Sequence, residues 1–310
     1  MDLSAINPAV LFASLIVAAT PILLAGLGEL VVEKAGVLNL GVEGMMIVGA
    51  ICGFAVAVGT GSPFLGFLGG AVGGAALSLI FAVLTQYLLA NQVATGLALT
   101  LFGLGFSALI GQGYVGIKPP PVAKLSFGPL SDIPGLGTVL LRHDAMVYLA
   151  LLAVPGLWYT LNRTRMGLVL RAVGENHDAA HALGYKVVHI RLAAILFGGA
   201  MAGLGGAYLS LIRVPLWTEG MTSGAGWIAL ALVVFASWRP GRLLLGAWLF
   251  GGITVLQLNL QAAGAKVPVA FLSMSPYLIT ILVLVVISAR AGRGAGGAPA
   301  ALGRSFHATH

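Results

Sequence analysis

Between Gly44 and Ile117 the chain reads GMMIVGAICGFAVAVGTGSPFLGFLGGAVGGAALSLIFAVLTQYLLANQVATGLALTLFGLGFSALIGQGYVGI, 74 residues without an aspartate, glutamate, lysine or arginine. A membrane helix needs about 20 predominantly apolar residues. This run is therefore too long for one crossing and fits three, over Met45 to Val58, Phe64 to Leu89 and Val93 to Ile110. Working outward, six further charge-free runs have the length of one crossing each. They give spans at Pro8 to Leu27, Met146 to Leu161, Leu192 to Ile212, Ala225 to Trp238, Leu243 to Leu260 and Phe271 to Ala289. The expected fold is all-α: a polytopic membrane protein with about nine transmembrane helices. It forms one transmembrane domain over residues 1–289, with a long loop at 162–191 and a low-complexity Gly/Ala/Arg tail at 290–310 that is expected to be disordered.

Composition agrees. Of 310 residues, 59% are hydrophobic and 8% charged, against roughly 25% charged in soluble domains. The single Cys52 excludes an intramolecular disulfide. The N-terminus, Met-Asp-Leu-Ser, lacks the positive region of a signal peptide, and the first apolar run is long enough to span. The net charge of +7 does not point to nucleic acid, because the basic residues sort by loop. Lys34, Arg163, Arg165, Arg171, Lys186, Arg191, Arg239, Arg242, Arg290, Arg293 and Arg304 fall on one set of loops. Lys118, Lys124, Arg142, Arg213 and Lys266 fall on the other. The positive-inside rule places the richer set in the cytoplasm, with the N-terminus outside and the C-terminus inside.

Glycines recur at four-residue spacing, as in Gly66, Gly70 and Gly74, in Gly69 and Gly73, and in Gly199 and Gly203. Such positions let membrane helices approach closely. Two segments interrupt the apolar pattern: Gly36-Val-Leu-Asn39-Leu-Gly41-Val-Glu43-Gly44, and Glu219-Gly-Met-Thr222-Ser223-Gly224-Ala-Gly226. Each opens a short span. Broken segments in the two halves of a membrane protein mark a transporter's site near the midplane, because unwound backbone is tolerated only where protein or a water-filled cavity satisfies it. Trp217, Trp227, Trp238 and Trp248 are read first as interface anchors. His177 and His181 share a helical face, but no third ligand is fixed beside them, so no metal site is assigned.

The loop after Arg163 contains Gly174-Glu175-Asn176-His-Asp-Ala-Ala180-His-Ala-Leu-Gly184. Glu175 or Asn176 suits an N-cap and Gly184 a C-terminal stop, giving a two-turn helix. A plain surface loop is the alternative. This stretch, with Gly167-Leu and Gly198-Gly-Ala-Met-Ala-Gly-Leu-Gly-Gly-Ala-Tyr in the next span, resembles the membrane permeases of bacterial ABC importers for branched-chain amino acids, simple sugars and nucleosides. The resemblance runs from about Pro21 to Ile287. The segments Gly36 to Met46 and Met221 to Pro240 look most like the nucleoside-uptake branch, except that Ala236-Ser237 stands where that branch usually has Gly-Gly before the Trp.

The resemblance implies a subunit of the bacterial inner membrane without chemistry or cofactors of its own. Its expected partners are a second related permease, a cytoplasmic ATPase carrying ATP and Mg, an extracytoplasmic substrate-binding protein and membrane lipid. No lysine here follows a glycine, as a P-loop requires. Gly174, Glu175, Asn176, Ala180 and Gly184 would belong to the coupling helix seated in the ATPase. Asn39, Glu43, Thr222, Ser223 and Trp227, from the two breaks, would line the substrate pathway. A branched-chain amino acid or sugar permease is the near alternative. An ion-coupled transporter would call for ionisable groups in the spans, where only Glu29, Glu33 and Glu43 reach any depth, and a structural scaffold would need no broken segments.

Overall fold

The computed structural model describes residues 8–128, 133, 137–262 and 297–307, together with positions 271, 274, 275, 277–279, 281–283 and 285. Among these the chain is helical, with one isolated bridge between Lys124 and Asp144. The long run divides into three as expected: α2 (Val42–Thr60), α3 (Pro63–Ala82, prolonged by a π-turn to Tyr87) and α4 (Gln92–Gly111). Ser62 caps α3 and Asn91 caps α4, each accepting a backbone N–H from three residues on. The remaining spans are α1 (Pro8–Lys34), α5 (Ala145–Arg163), α8 (Val187–Tyr208, followed by a π-turn to Arg213) and α10 (Pro240–Ala262). Among the described residues seven helices are thus long and apolar enough to cross a membrane, and α9 (Ala225–Phe235) is shorter. The expected span Phe271 to Ala289 lies only partly within the described residues, and those positions are helical.

Two boundaries differ from expectation for an identifiable reason. The first span continues seven residues past Leu27 to Lys34, carrying Glu29 and Glu33 inside it. Glu29 accepts the Asn39 backbone N–H, and Glu33 accepts the Trp238 indole N–H, so both carboxylates find donors away from water. The seventh expected span stops at Phe235 rather than Trp238, because Ser237 and Trp238 both take left-handed backbone, φ 49° and 55°. Position 237 is where the resembling branch has glycine. Serine there carries the steric cost of about 1 kcal/mol or more that glycine would avoid.

Helices α1, α2, α3 and α8 form the dense part of the bundle. The glycine periodicity splits into two seams: a β-carbon on Gly69 or Gly73 would collide with Val56 or Cys52 of α2, whereas Gly70 and Gly74 meet Ala207 and Gly203 of α8. This is the close approach the small-residue spacing predicts. Two of the four tryptophans part company with the anchor reading. Trp217 is buried against Phe54, and Trp238 is buried on Glu33 beneath Lys34.

Beyond the spans, α6 (Arg165–Glu175) and α7 (His177–Ala182) make up the long loop. Asn176 caps α7, accepting the Ala179 N–H at 2.9 Å, and Gly184 ends it at φ +86°, as the sequence indicates. The tail departs from its expected disorder over residues 297–307. Ala301 and Phe306 are buried, the Ala301 N–H donates to the Gly174 carbonyl, and the Gly303 N–H donates to the Gly36 carbonyl. Backbone hydrogen bonding and one aromatic side chain hold a segment whose composition looked too poor to fold.

Candidate functional site

The two broken segments meet. Helix α9 has 11 residues and rises about 16 Å, roughly half of a 30 Å hydrocarbon core. Its C-terminal end lies at the Trp238–Glu33 contact near the end of α1, so its N-terminus reaches mid-depth. There Glu43, in the first turn of α2, closes the junction. One carboxylate oxygen accepts the Thr222 hydroxyl at 2.5 Å and the Gly224 N–H at 2.9 Å, and the other accepts the Gly226 N–H at 2.7 Å. Gly224, at φ +84°, offers no side-chain cap of its own. The carboxylate from α2 does that work and meets the positive end of the α9 dipole. Contact is tight enough that a β-carbon on Gly226 would lie 2.6 Å from the Glu43 backbone.

Asn39 is also fully buried and structural. Its side-chain oxygen accepts the Gly41 N–H at 2.9 Å and its amide nitrogen points at the Met45 sulfur at 3.3 Å, fixing the ascent of residues 37–41 beside α1. Of the five residues expected along a pathway, Asn39 and Glu43 are hydrogen-bonded within the protein and do not line the cavity described next. Trp227 is 47% exposed and lies outside the cavity. Thr222 and Ser223 do line it.

The cavity, of about 240 Å³, opens above the junction. Pro21 and Ile22 of α1, the end of α8, Met221 to Ala225, and Phe250 and Thr254 of α10 form its walls. Its polar lining comprises Arg213, Thr222, Ser223, Thr254, Gln257 and Tyr277, with no carboxylate among the described residues. Arg213, Thr254 and Gln257 were missed as site residues. Arg213 looked like the loop charge that ends an apolar run, and the other two look like ordinary helix positions; only the bundle geometry brings them over Thr222.

At the other end of the bundle, the residues expected in a coupling helix form part of a compact cap. Arg191, fully buried, donates to the carbonyls of Ala35 at 3.2 Å and Arg304 at 3.0 Å, and its third arm meets His177 Nδ1 at 3.2 Å. The Phe306 ring packs edge-on against His177 and His181. Burial, and next the neighbouring Arg191 charge, hold the His177 imidazole below its ordinary pKa. Gly174 sits against Lys34 and Gly36, and Glu175 accepts the Ala300 N–H rather than capping α7. Ala180 was expected to face a partner but is 2% exposed, packed with Val173, Val187 and Phe306 of its own chain. The apolar side chain that α7 does present outward is Leu183, 78% exposed.

A bundle of membrane-length helices in which two interrupted segments meet at mid-depth below a polar cavity is the architecture of a membrane transport protein. The chain belongs to the family of branched-chain amino acid transport system permease components, whose model matches residues 11–288. It is similar to the putative glucose ABC transporter permease protein TsgC13 of Haloferax volcanii, 44% identical over 94% of this chain and 95% of the relative. It is also similar to the guanosine ABC transporter permease protein NupQ of Bacillus subtilis, 33% identical over 94% and 95%, and to the nucleoside ABC transporter permease protein NupC of Lactococcus lactis, 32% over 91% and 93%. A second guanosine permease protein of Bacillus subtilis, NupP, is 26% identical over 88% of this chain and 80% of its own length. The chain is thus a multi-pass ABC transporter permease subunit.

Proposed function

We propose that this subunit forms half of the translocation pathway of an ATP-driven importer for a neutral polyhydroxylated solute, a nucleoside in the first instance. The observation that carries this reading is the cavity over Thr222: one guanidinium, hydroxyls and an amide, with no carboxylate among the described lining residues. Hydroxyls and base edges need a few placed donors and acceptors on an otherwise apolar wall. An amino acid would bring an ammonium group, for which this lining supplies no counter-charge. The relatives named for nucleoside and guanosine transport support the same choice, and the 44% identity to a glucose permease supports a simple sugar as the second reading.

In this account the second permease completes the pathway, a separate ATPase drives it, and a binding protein delivers solute to the cavity side. The similarity to both NupQ and NupP of one organism favours a heterodimer of permeases. The loops bearing Lys34, Arg171, Arg191, Arg239 and Arg304 converge at one end, and positive-inside bias makes that end cytoplasmic. Displacement of α7 would then be carried by Arg191 to Ala35 and so to α1.

The test is uptake by the complete transporter. Guanosine is expected to be taken up saturably and ATP-dependently, with glucose and leucine as poor competitors. Arg213→Gln should weaken apparent affinity roughly tenfold, since a lost charge-assisted hydrogen bond costs about 1.5–3 kcal/mol. Saturable leucine uptake, or an Arg213→Gln variant indistinguishable from the parent, would overturn the assignment.

A further inference from the structure

A second cavity, about 660 Å³, is larger than the one over Thr222. It lies at the opposite end of the bundle, where α1, α5 and α8 leave the membrane and α6 begins. Its wall is almost wholly apolar, built from Val31, Leu157, Leu161, Leu170, Ile190 and Phe197. Arg165, Lys186 and His189 stand among its lining residues, and no acid does. Neither the Arg165 nor the Lys186 side chain has a hydrogen-bond or ion-pair partner among the described residues, whereas the Arg191 side chain nearby is engaged on all three nitrogens. The cavity therefore combines an apolar body within the span with unneutralised cations at the level where the spans end.

We infer that this cavity is a binding site for an anionic phospholipid, with an acyl chain along Leu157, Leu161 and Phe197 and the phosphate on Arg165 and Lys186. The chemistry is complementary at both ends. Acyl methylenes remove the apolar wall from water, and basic residues at a membrane surface attract anionic head groups, as basic pockets between membrane helices do. The cations also weigh against an apolar seam for a neighbouring helix, because a helix covering Arg165 and Lys186 would need acids of its own to pair with them. The position gives the lipid a consequence: its walls are α6 and α8, the two helices that flank α7, so an occupied cavity braces the loop.

The experiment is native mass spectrometry of the complete transporter released into detergent with equimolar dioleoyl phosphatidylglycerol and dioleoyl phosphatidylcholine. Phosphatidylglycerol should be retained preferentially. The double variant Arg165→Gln/Lys186→Gln should lose that preference by on the order of tenfold, while Arg239→Gln/Arg242→Gln, equally exposed but remote from the cavity, should keep it. Ala193→Trp, which fills the cavity without touching charge, should lower retention of both lipids. Glycerol phosphate in large excess should fail to displace the lipid, whereas displacement would reduce the site to a phosphate site and overturn the acyl-chain assignment. Equal retention of the two lipids by the parent protein, or an unchanged preference in the double variant, would overturn the proposal, as would crosslinking of a cysteine at Ala193 to the second permease subunit in place of lipid protection.

Discussion

The mid-depth junction and the cytoplasmic cap are both knots of polar groups joining distant parts of the chain, yet they are built by opposite means. At the junction a single carboxylate, Glu43, 3% exposed, satisfies the Thr222 hydroxyl and two backbone N–H groups. At the cap, Arg191 and several backbone bonds fasten the segment 297–307 to α1, α6 and α7, with Arg304 and His307 at its outer face exposed. Water can reach the outer bonds of the cap, at Gly303, Arg304 and the Glu175–Ala300 contact, whereas Glu43 at the junction is buried. The junction is therefore the fixed point of the two, costlier to break, and the cap is the fastening whose outer bonds are cheaper to release.

Cutting the fixed point should have the largest effect. Glu43→Ala leaves three buried donors unpaired at about 1–3 kcal/mol each, a loss of several kcal/mol that should show as a large drop in the thermal unfolding temperature of the purified subunit and in its recovery from membranes. A Glu43→Ala protein with unchanged stability would erase the distinction between the two regions.

Removing the fastening should do less to stability and more to coupling. Truncation after residue 296 deletes the Ala301, Gly303 and Arg304 contacts but exposes groups that water can satisfy. The transporter is expected to assemble, lose about 1–2 kcal/mol, and show ATP hydrolysis less tightly linked to uptake, read as a raised ratio of phosphate released to solute moved.

Acid should loosen the cap more gently. His177 has a folded-state pKa below its ordinary value of about 6.5, so the folded state favours the neutral ring that accepts from Arg191. That contribution is complete above the unfolded pKa and is lost as pH falls through the lower, folded one. Asp178 opposes the shift, while Arg191, Arg304 and His307 reinforce it. Amide exchange of residues 297–307 should quicken in the parent as pH falls below the ordinary imidazole value of about 6.5 and lose that acid dependence in His177→Gln.

How much of this was legible in the sequence follows the same division. Elements set by local chemistry were readable: the charge-free run and its three helices, the two glycine seams, the Asn176 cap, the Gly184 stop and the two breaks. The links between distant residues were not. Glu43 and Gly226 are separated by 183 positions, and nothing in either neighbourhood says that a carboxylate of one break will cap the helix of the other. Glu43 consequently read as a pathway residue, whereas its hydrogen bonds tie the two breaks together. Ala180 read as a partner contact because its covering side chain, Phe306, lies in a tail whose composition suggests disorder. Arg213 read as a topology marker because a terminal arginine on an apolar run looks the same whether it faces water or a cavity.

The central claim, that the cavity above the junction is the entrance to the translocation pathway, is tested most directly by a single cysteine at Ser223 in a Cys52→Ala background. An impermeant thiol reagent added from outside should label it in the complete transporter, and guanosine delivered by the binding protein should protect it. Failure to label from outside, or labelling that neither guanosine nor glucose slows, would contradict the account.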